Sequence, residues 1–242
     1  MLADIMPACE NAARMAGCQT RFWVKQMAAK KNAFIFPGQG SQSVGMGGAL
    51  AESHHAARHV FDEVNEALGE NLFKIMQEGP DDLIRMTRNA QPALFATSMA
   101  AVRVLEAELG CDLSEIGQMA AGHSLGEYAA LSASGSLAIG DAARLLRKRG
   151  DAMQAAVSVG EGAMAAILGA DEDQIYSILA EASAIGLVQI ANDNAPGQIV
   201  ISGAVAAVDA GIEIAKAAGF RRAIKLPVSA PFHCDQIGRA HV

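Results

Sequence analysis

Apolar residues recur along this chain with two periods, and the alternation between them predicts its elements. Ala33-Phe34-Ile35-Phe36 is a short unbroken apolar run ended by Pro37-Gly38-Gln39-Gly40, the pattern of a buried strand entering a glycine-rich loop. Residues 49–68 set Leu50, Val60, Phe61, Val64 and Leu68 largely on one helical face, with Gly69 as the stop. A helix is expected over 91–109, where Gln91-Pro92 puts proline in the first turn and Gly110 closes the end. Residues 116–121 read as a strand; Gly122-His123-Ser124-Leu125-Gly126 then turns the chain into a helix over Glu127–Ala133. A further helix is expected over 141–156, with Asp141 as N-cap and Arg144, Arg147, Lys148 and Arg149 toward its later turns.

The second half has its own order: strand 163–168, helix 171–182, strand 187–191, strand 198–202, helix 205–218 and strand 222–228. This βαββαβ order predicts a ferredoxin-like small subdomain inserted into a larger α/β unit. The expected boundaries are 32–157 for the large α/β subdomain, 158–229 for the small one, and 230–242 for the start of a return to the large one. Residues 1–31 match no later pattern, and Met27 precedes the first strand, so this segment is expected to be extraneous or disordered.

Composition narrows the function classes. The 242 residues are 51% hydrophobic and 19% charged, as suits a globular fold. The net charge of −7 provides no overall cationic field for nucleic acid or anionic lipid. No apolar run approaches the roughly 18–20 residues of a spanning helix, and no signal-peptide pattern opens the chain, so a cytoplasmic protein is expected. Cys9, Cys18, Cys111 and Cys234 form no CxxC pair, which argues against a disulfide framework or structural zinc.

The candidate chemistry centres on Ser124. A GxSxG between a strand and a helix forms a strained elbow that presents the serine oxygen at the helix start, where backbone amides can stabilise an oxyanion. The hydroxyl needs a base, and six histidines are available. His54, His55 and His59 lie on a charged helical segment, His123 adjoins the serine and would point away from it, and His241 is next to last. His233 remains, just beyond the last predicted strand, although a packed loop histidine would fit the same spacing.

Phe36-Pro37-Gly38-Gln39-Gly40-Ser41-Gln42, Gln91-Pro92-Ala93-Leu94, Gly122 to Tyr128, Arg149-Gly150, Asn194 to Gln198 and Val228 to Cys234, in that order, resemble the malonyl-CoA:acyl carrier protein transacylases of fatty acid synthesis. The resemblance covers about residues 32–234 and implies a hydrolase-like α/β core with a ferredoxin-like insert. It implies that Ser124 is the acyl-accepting nucleophile, that His233 is its general base and acid, and that the amides of Gln39 and Leu125 form the oxyanion hole. Arg149 would hold the substrate's free carboxylate; a planar guanidinium with two parallel donors suits that task, though on spacing alone Arg149 is a cation near a helix end. Gln91 would line the pocket, and the ring of Phe232 would leave little room for a 2-methyl branch.

The implied substrates are malonyl-CoA and the phosphopantetheine thiol of acyl carrier protein, with no metal or redox cofactor, no nucleic acid and no membrane. Lys148, Arg147 and Arg221-Arg222 are candidates for docking the acidic carrier. Asp235 to Val242 do not resemble the family's continuation, which points to a truncated or frame-shifted end, and Asp235 is not assigned as a triad acid. Two alternatives stay open: a serine esterase or thioesterase sharing GxSxG, and a catalytically inactive fragment that only binds a partner. A dinucleotide site is disfavoured, because Gly38-Gln39-Gly40 lacks the third glycine of GxGxxG.

Overall fold

The structure, a computed structural model, describes residues 32–158, 160–228 and 230–241. The expectation for residues 1–31 falls outside them. The fold is mixed α/β, and its contacts divide it into two compact units: residues up to 81 with 91–145, and residues 82–90 with those from 146 onward.

In the first unit, β1 (Ala33–Phe36) pairs in parallel with β2 (Met119–Gly122), Ala33 opposite Met119 and Phe36 opposite Gly122. A parallel pair needs a long crossover, supplied here by six helices. These are α1 (Gly48–Ser53), α2 (His55–Leu68), α3 (Leu72–Glu78), α4 (Asp81–Arg85), α5 (Thr87–Leu109) and α6 (Leu113–Ile116). The helix expected over 49–68 is therefore two: His54 takes an extended backbone (φ −135°, ψ 119°), and the break leaves Ala51 buried alongside Ala57, Val60, Phe61 and Val64.

Helix α5 begins at Thr87, ahead of the expected start at Gln91, so Pro92 lies inside it. The ring costs one helical bond, yet the buried run Ala93, Leu94, Phe95, Ala96, Met99 and Ala100 favours continuing the helix through it. β2 leads through the elbow into α7 (Gly126–Ala133), and α8 (Ile139–Ala156) follows. Asp141 sits in the first turn of α8 instead of capping it.

The second unit contains β3 (Gly162–Leu168), α9 (Glu172–Ala182), β4 (Val188–Ala195), β5 (Gln198–Ala204), α10 (Val205–Ala217) and β6 (Ala223–Lys225). The strands form one sheet in the order β4-β5-β3-β6, every pair antiparallel. The period of two sorts the side chains by face. Ala163, Ala165, Ile167, Ile199 and Ile201 pack with Ile175, Ile178, Val208 and Ile212 of α9 and α10. Met164 and Val200, on the other face, pack with Met153 and Val157 and with Ala230, Phe232 and Ile237 near the end of the chain.

Two strands differ from expectation. β4 runs past Ala191 to Ala195, because register shifts at Ile190/Asn192 and Asp193/Ala195 absorb the polar residues that hid its continuation. β6 stops at Lys225, short of the expected Val228: Pro227 has no amide to offer the ladder, and the Val228 amide turns back to the Leu226 carbonyl at 2.9 Å. No helix among the described residues is long and apolar enough to cross a membrane.

Candidate active site

The first unit builds the surroundings of Ser124 from the carboxyl ends of its two parallel strands. Ser124 has φ 54°, the left-handed region that a non-glycine residue avoids unless its surroundings hold it there. The amides of Gly126, Glu127 and Tyr128 close onto the carbonyls of His123, Ser124 and Leu125 at 3.0–3.1 Å, starting α7 and leaving the Leu125 amide at the head of the turn.

The glycines flanking the serine are required by close approach. A Cβ on Gly122 would lie 1.9 Å from the Gly126 carbonyl carbon, and one on Gly126 would lie 2.4 Å from the Phe36 carbonyl oxygen. The Phe36–Gln42 loop is thus pressed against the elbow. The His123 amide donates to the Phe36 carbonyl at 3.0 Å, and a Cβ on Gly38 would meet His123 Nδ1 at 2.4 Å. This brings the half-buried Gln39 and the elbow residues Ser124 and Leu125 to the ends of adjacent strands.

Gln42 belongs to the glycine-rich motif, but the resemblance gives it no role. It is 6% exposed, and its Oε1 accepts from the Gly40 amide at 2.8 Å, which fixes the curvature of the loop. A glutamine two residues past a glycine was the available signal. Gln91, 1% exposed, lies within α5 in the same unit.

The second unit holds Arg149, Phe232 and His233. Arg149 is half-buried on α8. Next to it, Gly150 lies against the 82–90 segment, where an added Cβ would fall 2.7 Å from Arg88 Cα and 2.9 Å from the Thr87 carbonyl oxygen. Arg88 Nε pairs with Asp151 Oδ1 at 2.8 Å, and Arg147 donates to Asn89 Oδ1 at 2.6 Å. Burial holds the Arg147 guanidinium below its ordinary pKa, opposed by the nearby Asp151 carboxylate. Arg147 is thereby occupied inside its unit, while Lys148, Arg221 and Arg222 are exposed.

Phe232 is 6% exposed and packed in the Met153, Met164 and Val200 cluster. His233 is half-buried with φ 57°, a second left-handed non-glycine residue. It faces an open cavity of about 430 Å³ lined also by Gln189, Ile190, Cys234, Asp235 and Gly238. The Asp235 carboxylate turns to Gln189, accepting from its Nε2 at 2.8 Å. Among the described residues, no group of three or more His, Cys, Asp or Glu side chains could hold a metal ion.

A strand-elbow-helix serine with a glycine-rich loop pressed against it is the arrangement of an acyl-transferring protein, and residues 33–241 match the acyl transferase domain family. The chain belongs to that family. Within it, the chain is similar to the malonyl CoA-acyl carrier protein transacylases of Bacillus subtilis (48% identical over 207 residues, 85% of this chain and 63% of that protein) and Escherichia coli strain K12 (45% over 202 residues, 84% and 64%).

Among solved structures, the acyl-carrier-protein S-malonyltransferase of Bartonella henselae superposes with a TM-score of 0.83 at 54% identity, covering 87% of this chain and 67% of that one. A malonyl-transacylase in complex with a type II polyketide synthase acyl carrier protein superposes at 0.80, with 40% identity over 87% and 67%. The chain spans slightly under two thirds of the length of the curated relatives.

Proposed function

We propose that this chain transfers a malonyl group from malonyl-CoA to the phosphopantetheine thiol of an acyl carrier protein, in fatty acid biosynthesis, through a malonyl ester on Ser124. The observation that carries this reading is the strained backbone of Ser124 at φ 54°, held between Gly122 and Gly126 against the Phe36–Gln42 loop. The sheet order β4-β5-β3-β6 supports a ferredoxin-like insert over about 158–229 in a hydrolase-like core that begins at about residue 32. We place the protein in the cytoplasm, where Cys111 and Cys234 stand as free thiols.

In the first half-reaction His233 takes the Ser124 hydroxyl proton as the oxygen attacks the malonyl thioester carbonyl. The Gln39 and Leu125 amides receive the negative charge that develops on the carbonyl oxygen. The carbon–sulfur bond breaks, and CoA leaves with the proton returned by His233. In the second half-reaction the carrier thiol gives its proton to His233 and attacks the Ser124 ester. The ester bond breaks, and the serine oxygen recovers that proton. Both steps are acyl and proton transfers and balance without electron exchange.

Arg149 pairs with the free malonyl carboxylate and thereby aims the carbonyl at Ser124. Gln91 lines the pocket, and Phe232 opposes a 2-methyl substituent. The test is the fate of radiolabelled malonyl-CoA with and without holo acyl carrier protein. Label accumulating on the carrier, with little free malonate, is expected. Rapid release of malonate without the carrier would replace this reading with a thioesterase.

A further inference from the structure

We infer that Gln189 is a positioning residue for His233, acting through a two-bond clamp on Asp235. This inference rests on the reading of His233 as the base for Ser124. The Asp235 amide donates to Gln189 Oε1 at 2.8 Å, and Asp235 Oδ2 accepts from Gln189 Nε2 at 2.8 Å. One side-chain amide thus holds both the backbone and the carboxylate of a residue two positions beyond the histidine. Gln189 pairs with Ser202 across the β4-β5 ladder, so it stands on the sheet face that carries Val200 and the Phe232 cluster.

The turn needs such a tie. His233 holds φ 57°, a conformation that costs a non-glycine residue about 1–2 kcal/mol and persists only where surrounding contacts enforce it. Phe232 N–H to the Ala230 carbonyl, Cys234 Sγ to the Pro231 carbonyl and Ile237 N–H to the Cys234 carbonyl are bonds within the turn itself. The Gln189 clamp instead reaches 46 residues back, to β4, and anchors the turn to a strand of the sheet. Gln189 and Asp235 line the same cavity as His233, so the clamp and the histidine border one volume. Glutamine is suited to this because its amide both donates and accepts. A carboxylate at the same position would still accept the Asp235 amide but would set oxygen against oxygen at the second bond.

The test is a substitution cycle read by two measurements: the side-chain NMR signals of His233, with His123 of the other unit as internal reference, and the kcat and KM of Ser124 malonylation. Gln189→Glu is expected to shift and broaden the His233 signal while leaving His123 in place, and to lower kcat about five-fold with KM for malonyl-CoA held. Adding Asp235→Asn supplies a donor to the new carboxylate and is expected to restore both readings to within about two-fold. If Gln189→Glu does not fold, Gln189→Ala, which removes both bonds without adding charge, serves for the NMR comparison. An unmoved His233 signal, or a double substitution no better than the single one, overturns the clamp. A wild-type chain that forms no malonyl ester removes the base role of His233, and the NMR arm then still decides whether Gln189 holds the turn.

Discussion

Gly126→Ala isolates the contact between the elbow and the glycine-rich loop. Gly126 opens α7 with an ordinary helical backbone, so alanine there should gain about 1 kcal/mol in helix propensity. Against this, the new Cβ would lie 2.4 Å from the Phe36 carbonyl oxygen and 2.8 Å from that of Pro37, where ordinary contact begins near 3.4 Å. Both obstacles are backbone, so the loop carrying Gln39 must retreat by about 1 Å, and overpacking of this kind costs roughly 1–3 kcal/mol. The clash offsets that gain, for a net loss of up to about 2 kcal/mol. A displacement of about 1 Å at an oxyanion site is worth on the order of 100-fold in rate.

Urea denaturation and quench-flow malonylation of Ser124 measure the two effects. Gly140→Ala on α8 is the control: its Cβ would meet nothing nearer than Ala67 Cβ at 3.4 Å, so the same chemical change should leave stability equal or slightly higher and the rate intact. If Gly126→Ala behaves like Gly140→Ala in both assays, the elbow and the loop are not pressed together, and the proposed oxyanion hole fails with that contact.

The same structure implies three further outcomes. Phe232→Ser should lower the malonyl to methylmalonyl rate ratio and, by emptying a packed site, cost about 3 kcal/mol or more in thermal unfolding; an unchanged ratio would remove Phe232 as the steric filter. Gly150→Ala should destabilise the second unit by about 1–3 kcal/mol, seen as faster hydrogen exchange in 146–157, because its Cβ meets the Arg88 and Thr87 backbone; unchanged exchange would contradict that packing. The Cys111 thiol is pushed above its ordinary pKa by burial first and then by Glu115, Asp112 and Glu106, so it is protonated at neutral pH. Its alkylation by iodoacetamide should be slower near pH 8 than that of a small free thiol and should keep rising at pH values where the small thiol has levelled off; matching pH profiles would contradict the shift.

Much of the second unit was legible because short apolar runs and helix signals succeed one another there in a βαββαβ order. Asp171, where the pattern put the helix start, caps α9 by accepting from the Gln174 amide at 2.9 Å, and the helix itself begins one residue later at Glu172. The elbow was legible because glycine spacing encodes a steric demand that the Gly122 and Gly126 approaches make explicit. Other features were not. The break at His54 follows from what Ala51 and Ala57 bury against, and the passage of α5 through Pro92 follows from the apolar run after it; both are tertiary preferences overriding local ones. The extension of β4 depends on bulges, which disguise the alternation. Gln42 folding back on Gly40 leaves only a faint local trace, and the Gln189–Asp235 clamp, 46 residues apart, leaves none.

In the proposed mechanism the Ser124 hydroxyl becomes a nucleophile because His233 takes its proton. Peptide mass spectrometry of acid-quenched mixtures with malonyl-CoA tests it most directly. One malonyl group is expected on the Ser124 peptide of the wild-type chain, none in Ser124→Ala, and formation slowed about 10³-fold in His233→Ala. A malonyl group on another residue, or equally fast labelling of Ser124 without His233, would contradict it.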